Sequence, residues 1–428
     1  MKGRSCVRLA EGSDLLRKHT SEIIWRGRSL FLCAGCEEEI PGFRLSVISD
    51  HKREGGRSDP CSAQRRVAMA FEPDEKTREW ALNCGAELLG AQEKIVTNVG
   101  DKSHLPEILA CAHVSSIPSR VYEAQSYPDV GQLWQAFDGT PVVVQRAANN
   151  MTGKGTCLVE DQRKLSEVFA MWGEERLKVS RYLDGIPLTI SGCVAPNQTV
   201  VSLISRQLVG IPRLTSIWGA HCGNQLATVE ELGDDVAGLC FDACREVGNE
   251  LRQRGFLGAF GLDLLQTVDR EVFVVEINPR LQSVSSLVNL AEIEANMLPL
   301  PGVHLLSFLL EEVPVVAVEG ESAIPQLDQT VLYSRRRGEI CKAPETGVYA
   351  LEGDVLARLG GYRSLRYISG DEALVWSFVR PGECINEDER LCVLQTRFRL
   401  AQIGHAPLLT DRALQWMDAL ESSFRYCT

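Results

Sequence analysis

The part of the sequence that most constrains the fold is segment 258–280, GAFGLDLLQTVDREVFVVEINPR. Strand-like runs at 256–266 and 272–278 flank a polar turn at Asp269 and Arg270. Two such runs joined by a short polar turn predict a β-hairpin, here with a two-residue loop. The loop also determines which residues of the two strands stand opposite each other.

Counting outward from that loop places Asp263 directly opposite Glu276, with Asn278 on the same face by the two-residue period. Opposed side chains on one face have Cβ atoms about 4.5–5.5 Å apart, so the two carboxylates repel unless a cation lies between them. Hard oxygen ligands of this kind suit Mg²⁺, which prefers carboxylates together with substrate phosphates. The alternative is a hairpin whose acids simply face water.

Bulk properties favour a cytoplasmic enzyme over a nucleic-acid or membrane protein. The 428 residues suffice for several domains, and the formal net charge is −12, whereas nucleic-acid binders normally present a basic patch. No apolar run reaches the ~18 residues of a membrane span, and the first residues lack the apolar segment of a secretory signal. Most of the 15 cysteines stand singly and are expected to be free thiols. Cys33 and Cys36 form a CxxC pair without a partner pair, so metal or redox work is not expected there.

The chain is predicted to contain three domains, at 1–95, 96–325 and 326–428. The first alternates strand-like runs with a helical pattern at 75–91, which is typical of a small α/β lobe. Within the second, 140–185 follows the order strand, loop, strand, helix, strand and forms a small lobe. The last contains short strand-like runs and a terminal helical pattern. The expected fold class is therefore α/β, more strictly α+β.

The hairpin residues resemble the metal and phosphate signature of the ATP-grasp superfamily. They are Asp263 and the segment EINPR at 276–280. This resemblance implies that Asp263, Glu276 and Asn278 ligate two Mg²⁺ ions and that Arg280 contacts phosphate or an acyl-phosphate. It also implies an N-terminal α/β lobe, a small lobe with a glycine loop, a large metal-binding lobe and a β-rich C-terminal domain.

Three further segments match the same family in the same order, at 99–102, 141–155 and 179–185. They resemble its GDK segment, its strand and flexible glycine loop, and its adenine-binding hinge. Glycines let backbone N–H groups approach phosphate closely. The ATP-binding residues implied by the resemblance are Lys102, Gln145, Gly153, Lys154, Gly155, Ser180, Tyr182 and Leu183.

Other polar residues are expected to border the substrates. In the family, a basic residue at the position of Arg206 can face the phosphates or a substrate carboxylate; a cross-strand ion pair is the alternative. Ser283 and Ser285 follow the metal strand and are candidates for holding a substrate carboxylate. His221, expected in a loop, is a candidate for the border of the acceptor site, the alternative being a histidine without chemistry.

Three departures from the family pattern narrow the resemblance. Gln145 stands where a strand normally ends in an ATP-contacting lysine, Ser180 where the hinge often carries glutamate, and Gly261 where some ligases have arginine. The segment SVS at 283–285 lacks the acid and histidine of the carboxylase branch, which counts against bicarbonate chemistry. With Gln145, the NPR signature and the C-terminal domain, the chain most resembles the pheganomycin-type peptide ligases.

The resemblance implies an ATP-dependent carboxylate–amine ligase that acts through an acyl-phosphate and releases ADP and phosphate. The expected setting is small-peptide or secondary-metabolite biosynthesis. Expected partners are ATP, Mg²⁺, a small carboxylate and an amine, either amino acid or peptide; a homodimer is left open, and neither nucleic acid nor a membrane is expected. Two alternatives stay open: a biotin-carboxylase-like carboxylase and a catalytically silent ATP-binding scaffold.

Overall fold

A computed structural model of the chain describes residues 4–20, 22–26, 44–48, 66–124, 126–147, 155–318, 324–361, 365–402, 404 and 408–427. The glycine-loop residues Gly153 and Lys154 lie outside this range, as do Cys33 and Cys36. In the part of the chain that the structure describes, no helix is long and apolar enough to cross a membrane.

The N-terminal lobe is built on a parallel sheet of four strands in the order β3-β2-β4-β5. The strands are β1 (Ser5–Cys6), which lies outside this sheet, β2 (Glu22–Arg26), β3 (Arg44–Ile48), β4 (Arg66–Ala70) and β5 (Glu87–Leu88). The helices are Leu9–His19, Glu75–Asn83, Glu93–Gly100 and Leu105–Cys111. The helix predicted over 75–91 ends early, because Gly85 takes φ +67° and the chain then joins the sheet as β5.

The small lobe is an antiparallel sheet with the strand order β6-β9-β7-β8. Its strands are β6 (Ser119–Tyr122), β7 (Val142–Arg146), β8 (Thr156–Val159) and β9 (Leu177–Arg181), and its helices are Val130–Gln135 and Gln162–Trp172. Asp161 caps the second helix by accepting a hydrogen bond from the Lys164 amide at 2.8 Å. Apolar residues of both helices bury against the sheet and give this lobe a core of its own.

The large lobe is an antiparallel sheet backed by a long helix. Its strands are β10 (Gly185–Val194), β11 (Thr199–Val209), β12 (His221–Ala227), β13 (Gly258–Thr267) and β14 (Val272–Asn278); its helices are Val229–Leu232, Asp234–Gln253, Ser285–Glu294 and Leu300–Leu309. Helix Asp234–Gln253 buries one apolar face against β10, β11, β13 and β14. It ends near Gly255, whose φ of +81° turns the chain into the hairpin of β13 and β14.

Strands beyond residue 326 continue the same sheet. Because β12 pairs with β16, a single ten-stranded sheet runs in the order β14-β13-β10-β11-β12-β16-β22-β20-β18-β19. The remaining strands are β15 (Val316–Ala317), β16 (Asp328–Tyr333), β17 (Gly338–Lys342), β18 (Gly347–Glu352), β19 (Val355–Gly360), β20 (Glu372–Ser377), β21 (Cys384–Ile385), β22 (Arg390–Thr396) and β23 (Arg425–Tyr426). A short 3₁₀ turn at Leu365–Tyr367 and helix Asp411–Ser423 complete the chain.

Cysteine pairing differs from the prediction at one place. Cys341 and Cys427 form a disulfide, so the expectation of free thiols is wrong for these two. The pair forms where β17 and β23 lie side by side, which brings the C-terminal residues next to the strand. Ten other cysteines of the described residues are free, as predicted.

The predicted hairpin is present, and its loop differs in detail. The loop has three residues, 268–270, because Thr267 rather than Val268 pairs with Glu271. Arg270 takes φ +62°, the left-handed residue that usually closes a three-residue loop. An extra residue at Val275 forms a β-bulge that offsets the longer loop, so Asp263 still faces Glu276.

Candidate active site

A cavity of about 1280 Å³ lies where all parts of the molecule meet. Its walls include Phe71 of the N-terminal lobe, Lys178 of the small lobe, Asp263 of the large lobe and Arg390 of the C-terminal strands. Its polar and apolar lining is mixed, and it is large enough for a nucleotide together with smaller substrates.

Two carboxylates form the floor of this cavity. Asp263 and Glu276 are cross-strand partners on β13 and β14, and the bulge at Val275 lies beside them. Bulges commonly re-aim side chains next to active sites. Burial and the neighbouring Glu276 carboxylate both raise the pKa of Asp263. A cation between the two groups would relieve this repulsion.

Four donors hold the Asp263 carboxylate in place. Thr189 Oγ1 at 3.0 Å, Gln207 Nε2 at 2.7 Å and Gln282 Nε2 at 3.2 Å all donate to Oδ1. Asn278 Nδ2 donates to Oδ2 at 3.1 Å. Such preorganisation keeps the carboxylate aimed at one point. Thr189, Gln207 and Gln282 were not predicted from the sequence as site residues.

Gly261 explains how Gln282 reaches Asp263. A Cβ atom built on Gly261 would lie 1.8 Å from Gln282 Oε1, so only glycine leaves room for this side chain. Gly261 is the position at which some ligases of the resembled family carry arginine. In this chain, Gln282 fills that space instead.

Oxygen ligands for a hard cation are present, but they are few. The described residues contain no group of three acidic, histidine or cysteine side chains able to hold a metal. Asp263 and Glu276 would supply two oxygen ligands to Mg²⁺, and phosphate and water would supply the others. Asn278 Oδ1 accepts a hydrogen bond from Arg280 Nη2 at 3.2 Å, so Asn278 would become an oxygen ligand only after its side-chain amide turned over.

Lys102 neutralises one of the two acids. Its ammonium donates to Glu276 Oε1 at 2.8 Å, and the side chain is buried. The backbone N–H of Lys102 donates to the Ala147 carbonyl at 3.0 Å, which ties it to the small lobe. Lys102 was predicted to reach ATP phosphate; in this structure its charge is instead paired with Glu276.

The predicted nucleotide residues that the structure describes cluster at the small-lobe end of the cavity. Gln145, Ser180, Tyr182 and Leu183 all line it, whereas Gly155 does not and instead accepts the Arg146 amide at 2.9 Å. The Tyr182 amide already donates to the Pro141 carbonyl at 2.9 Å, so other hinge groups must meet an adenine.

Arg280 reaches the cavity from the end of the metal strand. Its guanidinium donates to the Leu281 carbonyl at 3.0 Å and lies 5.1 Å from the centre of the Phe71 ring. The Glu72 carboxylate lies 3.8 Å from Arg280 Nε. The side chain is thus held beside the carboxylate pair with part of its donor capacity unused, since Nε is buried without a hydrogen-bond partner among the described residues.

Arg206 does not reach the cavity, which corrects its prediction. Its guanidinium bonds to the Glu231 carbonyl at 3.1 Å on the opposite face of the sheet, and burial lowers its pKa. Because side chains alternate along a strand, its neighbour Gln207 faces the site. Arg206 forms an ion pair with Glu231 at 3.9 Å, although this partner lies in helix Val229–Leu232 and not on a neighbouring strand as the alternative prediction had it.

Of the three predicted substrate residues, two line the cavity and one does not. Ser283 and His221 line the cavity, with Ser283 Oγ 3.2 Å from His221 Nε2. Ser285 is buried and accepts the Gln282 amide at 3.0 Å, so it shapes the turn rather than the wall. His221 starts β12 and is not in a loop as predicted.

His221 is neutral near pH 7. Burial lowers its pKa to about 4. Nε2–H donates to Asn224 Oδ1 at 2.7 Å, which leaves Nδ1 as a buried acceptor without a partner in the described residues. A neutral imidazole here accepts or donates hydrogen bonds and does not supply positive charge.

Comparison with known proteins gives this geometry a context. Residues 100–284 match a family model described as an ATP-grasp domain. Phosphoribosylamine–glycine ligase from Thermotoga maritima is 13% identical with a TM-score of 0.58, covering 95% of this chain and 97% of that one. L-amino acid ligase from Bacillus licheniformis is 12% identical with a TM-score of 0.55, covering 96% and 99%.

A third similar structure contains nucleotide. It is the biotin carboxylase domain of 2-oxoglutarate carboxylase from Hydrogenobacter thermophilus, in complex with MgADP, ADP and bicarbonate. It is 12% identical with a TM-score of 0.56, covering 88% of this chain and 86% of that one.

No curated protein sequence matches the chain significantly. The matched segment contains the carboxylate pair, the hinge and the floor of the cavity, and the chain therefore contains an ATP-grasp domain and has the ATP-grasp fold.

Proposed function

We propose that this protein is an ATP-dependent ligase that joins a carboxylate to an amine. The observation that supports this most directly is the facing pair of Asp263 and Glu276 on the floor of a cavity large enough for nucleotide and substrates. Asp263, Glu276 and, after its amide turns, Asn278 would hold Mg²⁺. When bound, the ion offsets the negative charge of the ATP phosphates.

In the proposed reaction, a carboxylate oxygen of the first substrate attacks the γ-phosphorus of ATP, and ADP leaves with the electron pair of the broken bond. The amine nitrogen then attacks the carbonyl carbon of the acyl-phosphate, loses a proton and displaces orthophosphate. Arg280 lies two residues beyond Asn278 and has unused donors for the phosphoryl oxygens. The chain needs no nucleophile of its own, only positioning and exclusion of water.

The organic substrates would occupy the end of the cavity away from the hinge. Its wall combines the hydroxyl of Ser283 and the imidazole of His221 with residues of the C-terminal strands. We propose amino acids or peptides as the carboxylate and amine, in small-peptide or secondary-metabolite biosynthesis. Gln145, at the position where the family normally has lysine, supports a resemblance to the pheganomycin-type peptide ligases.

The test measures nucleotide products in the presence of Mg²⁺ and pools of amino acids and dipeptides. ADP and orthophosphate are expected only when an acid and an amine are both present, together with a product whose mass equals their sum less water. Glu276→Ala should abolish turnover, while Glu271→Ala, an exposed acid of the same hairpin outside the cavity, should not. AMP with pyrophosphate as products, bicarbonate as the only active acid, or failure to bind ATP would each contradict the proposal.

A further inference from the structure

The small lobe contributes a buried lysine, Lys178, to the wall of the cavity. Lys178 on β9 pairs directly with Gln145 on β7, so the two side chains project from the same face with Cβ atoms about 4.5–5.5 Å apart. Both line the cavity. Their neighbours Val144 and Val179 point the other way and are fully buried in the core of the lobe.

The Lys178 side chain is buried but unpaired. Only 4% of it is exposed, and its ammonium has neither a hydrogen bond nor an ion pair with any described residue. Burial lowers its pKa to about 8, while the charge of Glu276 opposes that shift. A buried ammonium without a partner is unfavourable, and such groups normally have an anion close by.

Two other cations close to this part of the cavity are already paired with acids. The ammonium of Lys102 is hydrogen-bonded to Glu276 at 2.8 Å. Arg181, which also lines the cavity, forms an ion pair with Asp138. Gln145 itself carries no charge and its amide lies 3.4 Å from Thr156 Oγ1. Among the described small-lobe residues that line the cavity, Lys178 is therefore the cation whose charge is available to a ligand.

We propose that Lys178 binds the phosphate chain of the nucleotide, supplying from β9 the positive charge that Gln145 does not supply from β7. The inference rests on the proposed nucleotide-dependent function. The ligand that Lys178 would recognise is a polyphosphate. Because Lys178 and Gln145 are cross-strand partners, an ammonium on either strand reaches the same volume of the cavity. In this arrangement the amide of Gln145 can act beside it as a neutral donor.

The experiment measures binding of ATP, ADP, adenosine and inorganic phosphate to the full chain with Mg²⁺ by calorimetry. Lys178→Gln should weaken ATP and ADP binding by about 10- to 100-fold, the scale of one charge-assisted hydrogen bond, and leave adenosine binding unchanged. Lys178→Arg should retain most of the affinity. Lys164→Gln, an exposed lysine of the same lobe, is the matched control and should bind like the wild type.

An exchange variant makes the test stricter. Gln145→Lys combined with Lys178→Gln moves the ammonium across the strand pair and should recover most of the lost ATP affinity. Unliganded Lys178→Gln should be at least as stable to heat as the wild type, because it removes an unpaired buried charge, so weak binding cannot be ascribed to misfolding.

The failures of the two proposals are distinguishable. If wild-type protein binds no ATP, the nucleotide-dependent function itself is wrong. If wild-type protein binds ATP and Lys178→Gln binds it equally well, only the role of Lys178 is wrong. Equal loss of adenosine and ATP affinity would also overturn that role, since it would show a disturbed hinge rather than a lost phosphate contact. Tighter binding of inorganic phosphate than of ATP would assign the site to free phosphate.

Discussion

At the scale of single residues, Glu276 has two charged neighbours with opposite effects. Asp263 faces it across the hairpin and repels it, while Lys102 donates to it at 2.8 Å. Removing the Glu276 carboxylate therefore takes away a metal ligand and also leaves a buried ammonium without its partner. Losing one member of a buried ion pair is strongly destabilising.

We therefore predict two separable effects of Glu276→Ala. Turnover should be lost because the cation site is lost, and the free energy of unfolding without nucleotide should fall by about 3 kcal/mol. Lys102→Met in the same background should restore much of the stability and none of the turnover. Chemical denaturation of the single and double variants measures the coupling. Full additivity of the two substitutions would contradict the pairing.

Sequence reasoning found some site residues and missed others for identifiable reasons. Asp263 and Glu276 were predicted to face each other from the two-residue period of the strands, and the pairing is correct because a longer loop and a bulge offset each other. The face of β11 could not be predicted in the same way, and Arg206 was preferred to Gln207 because of its charge. Lys178 was missed because a lysine near a hinge strand has no pattern of its own; only the pairing of β7 with β9 brings it opposite Gln145.

At the scale of elements, the predicted hairpin register is correct at the carboxylate pair because two differences from the prediction cancel. The loop is one residue longer than predicted, and the bulge at Val275 adds one residue to β14. The sequence carries no clear signal for a bulge of this kind, since Val275 fits a regular strand equally well. The prediction that the carboxylates face each other is therefore correct only because the two differences cancel, and the path of the chain between them and the loop could not be predicted.

Helix Ser285–Glu294 carries a buried acid, Glu292, that links this helix to β11 and to the helix that follows it. Glu292 accepts hydrogen bonds from the Ser202 hydroxyl and, at 2.8 Å, from the Leu300 amide. Burial raises its pKa from 4.5 to about 7, although the charge of Arg4 opposes this. The folded state therefore holds the proton more tightly than the unfolded state does.

The sign of the resulting pH dependence follows from linkage. The contribution of Glu292 is fully present below pH 4.5 and is lost as the pH rises through 7. Between pH 5 and pH 8, this group should lower the free energy of unfolding by about 2 kcal/mol. Glu292→Gln should remove that decline, and the exposed acid variant Glu246→Gln should keep it. Urea denaturation at both pH values measures the difference; an unchanged decline in Glu292→Gln would contradict the assignment.

At the scale of the whole molecule, the C-terminal strands share a sheet and a core with the ATP-grasp domain. Asp328, at the start of β16, is completely buried and accepts Gln225 Nε2 at 2.6 Å and the Leu400 amide at 2.8 Å. Arg399 donates to it at 3.0 Å and also pairs with Glu231. These contacts cross the position at which the third domain was predicted to begin.

The protein should therefore unfold in one transition rather than domain by domain. Asp328→Ala should lower the free energy of unfolding by about 3–5 kcal/mol, because it leaves Arg399 and the Leu400 amide with one partner fewer in the interior. The loss should appear in the same single transition when fluorescence and circular dichroism are followed together. A separate early transition in either protein would mean that the C-terminal strands unfold independently.

The C-terminal strands also bring a cation to the far side of the cavity from the hinge. Arg390 on β22 pairs with Tyr333 on β16, and its positive charge opposes the rise that burial causes in the pKa of Tyr333. The Tyr333 hydroxyl in turn donates to the His221 carbonyl at 2.6 Å. Arg390 forms no ion pair with any described residue, and it lines the same cavity as the carboxylate floor. A guanidinium in that position matches the carboxylate group of an organic substrate.

Arg390→Gln should accordingly raise the KM for one of the two organic substrates by about 10- to 100-fold, the scale of one charge-assisted hydrogen bond. The KM for ATP should change less than twofold, because the nucleotide residues lie on the small lobe. Arg425→Gln, an exposed arginine of β23 outside the cavity, is the matched control. Steady-state kinetics with each substrate varied in turn separates the two ends of the cavity. An equal rise in the KM for ATP would mean that Arg390 supports the whole site through Tyr333 and His221 rather than binding a substrate.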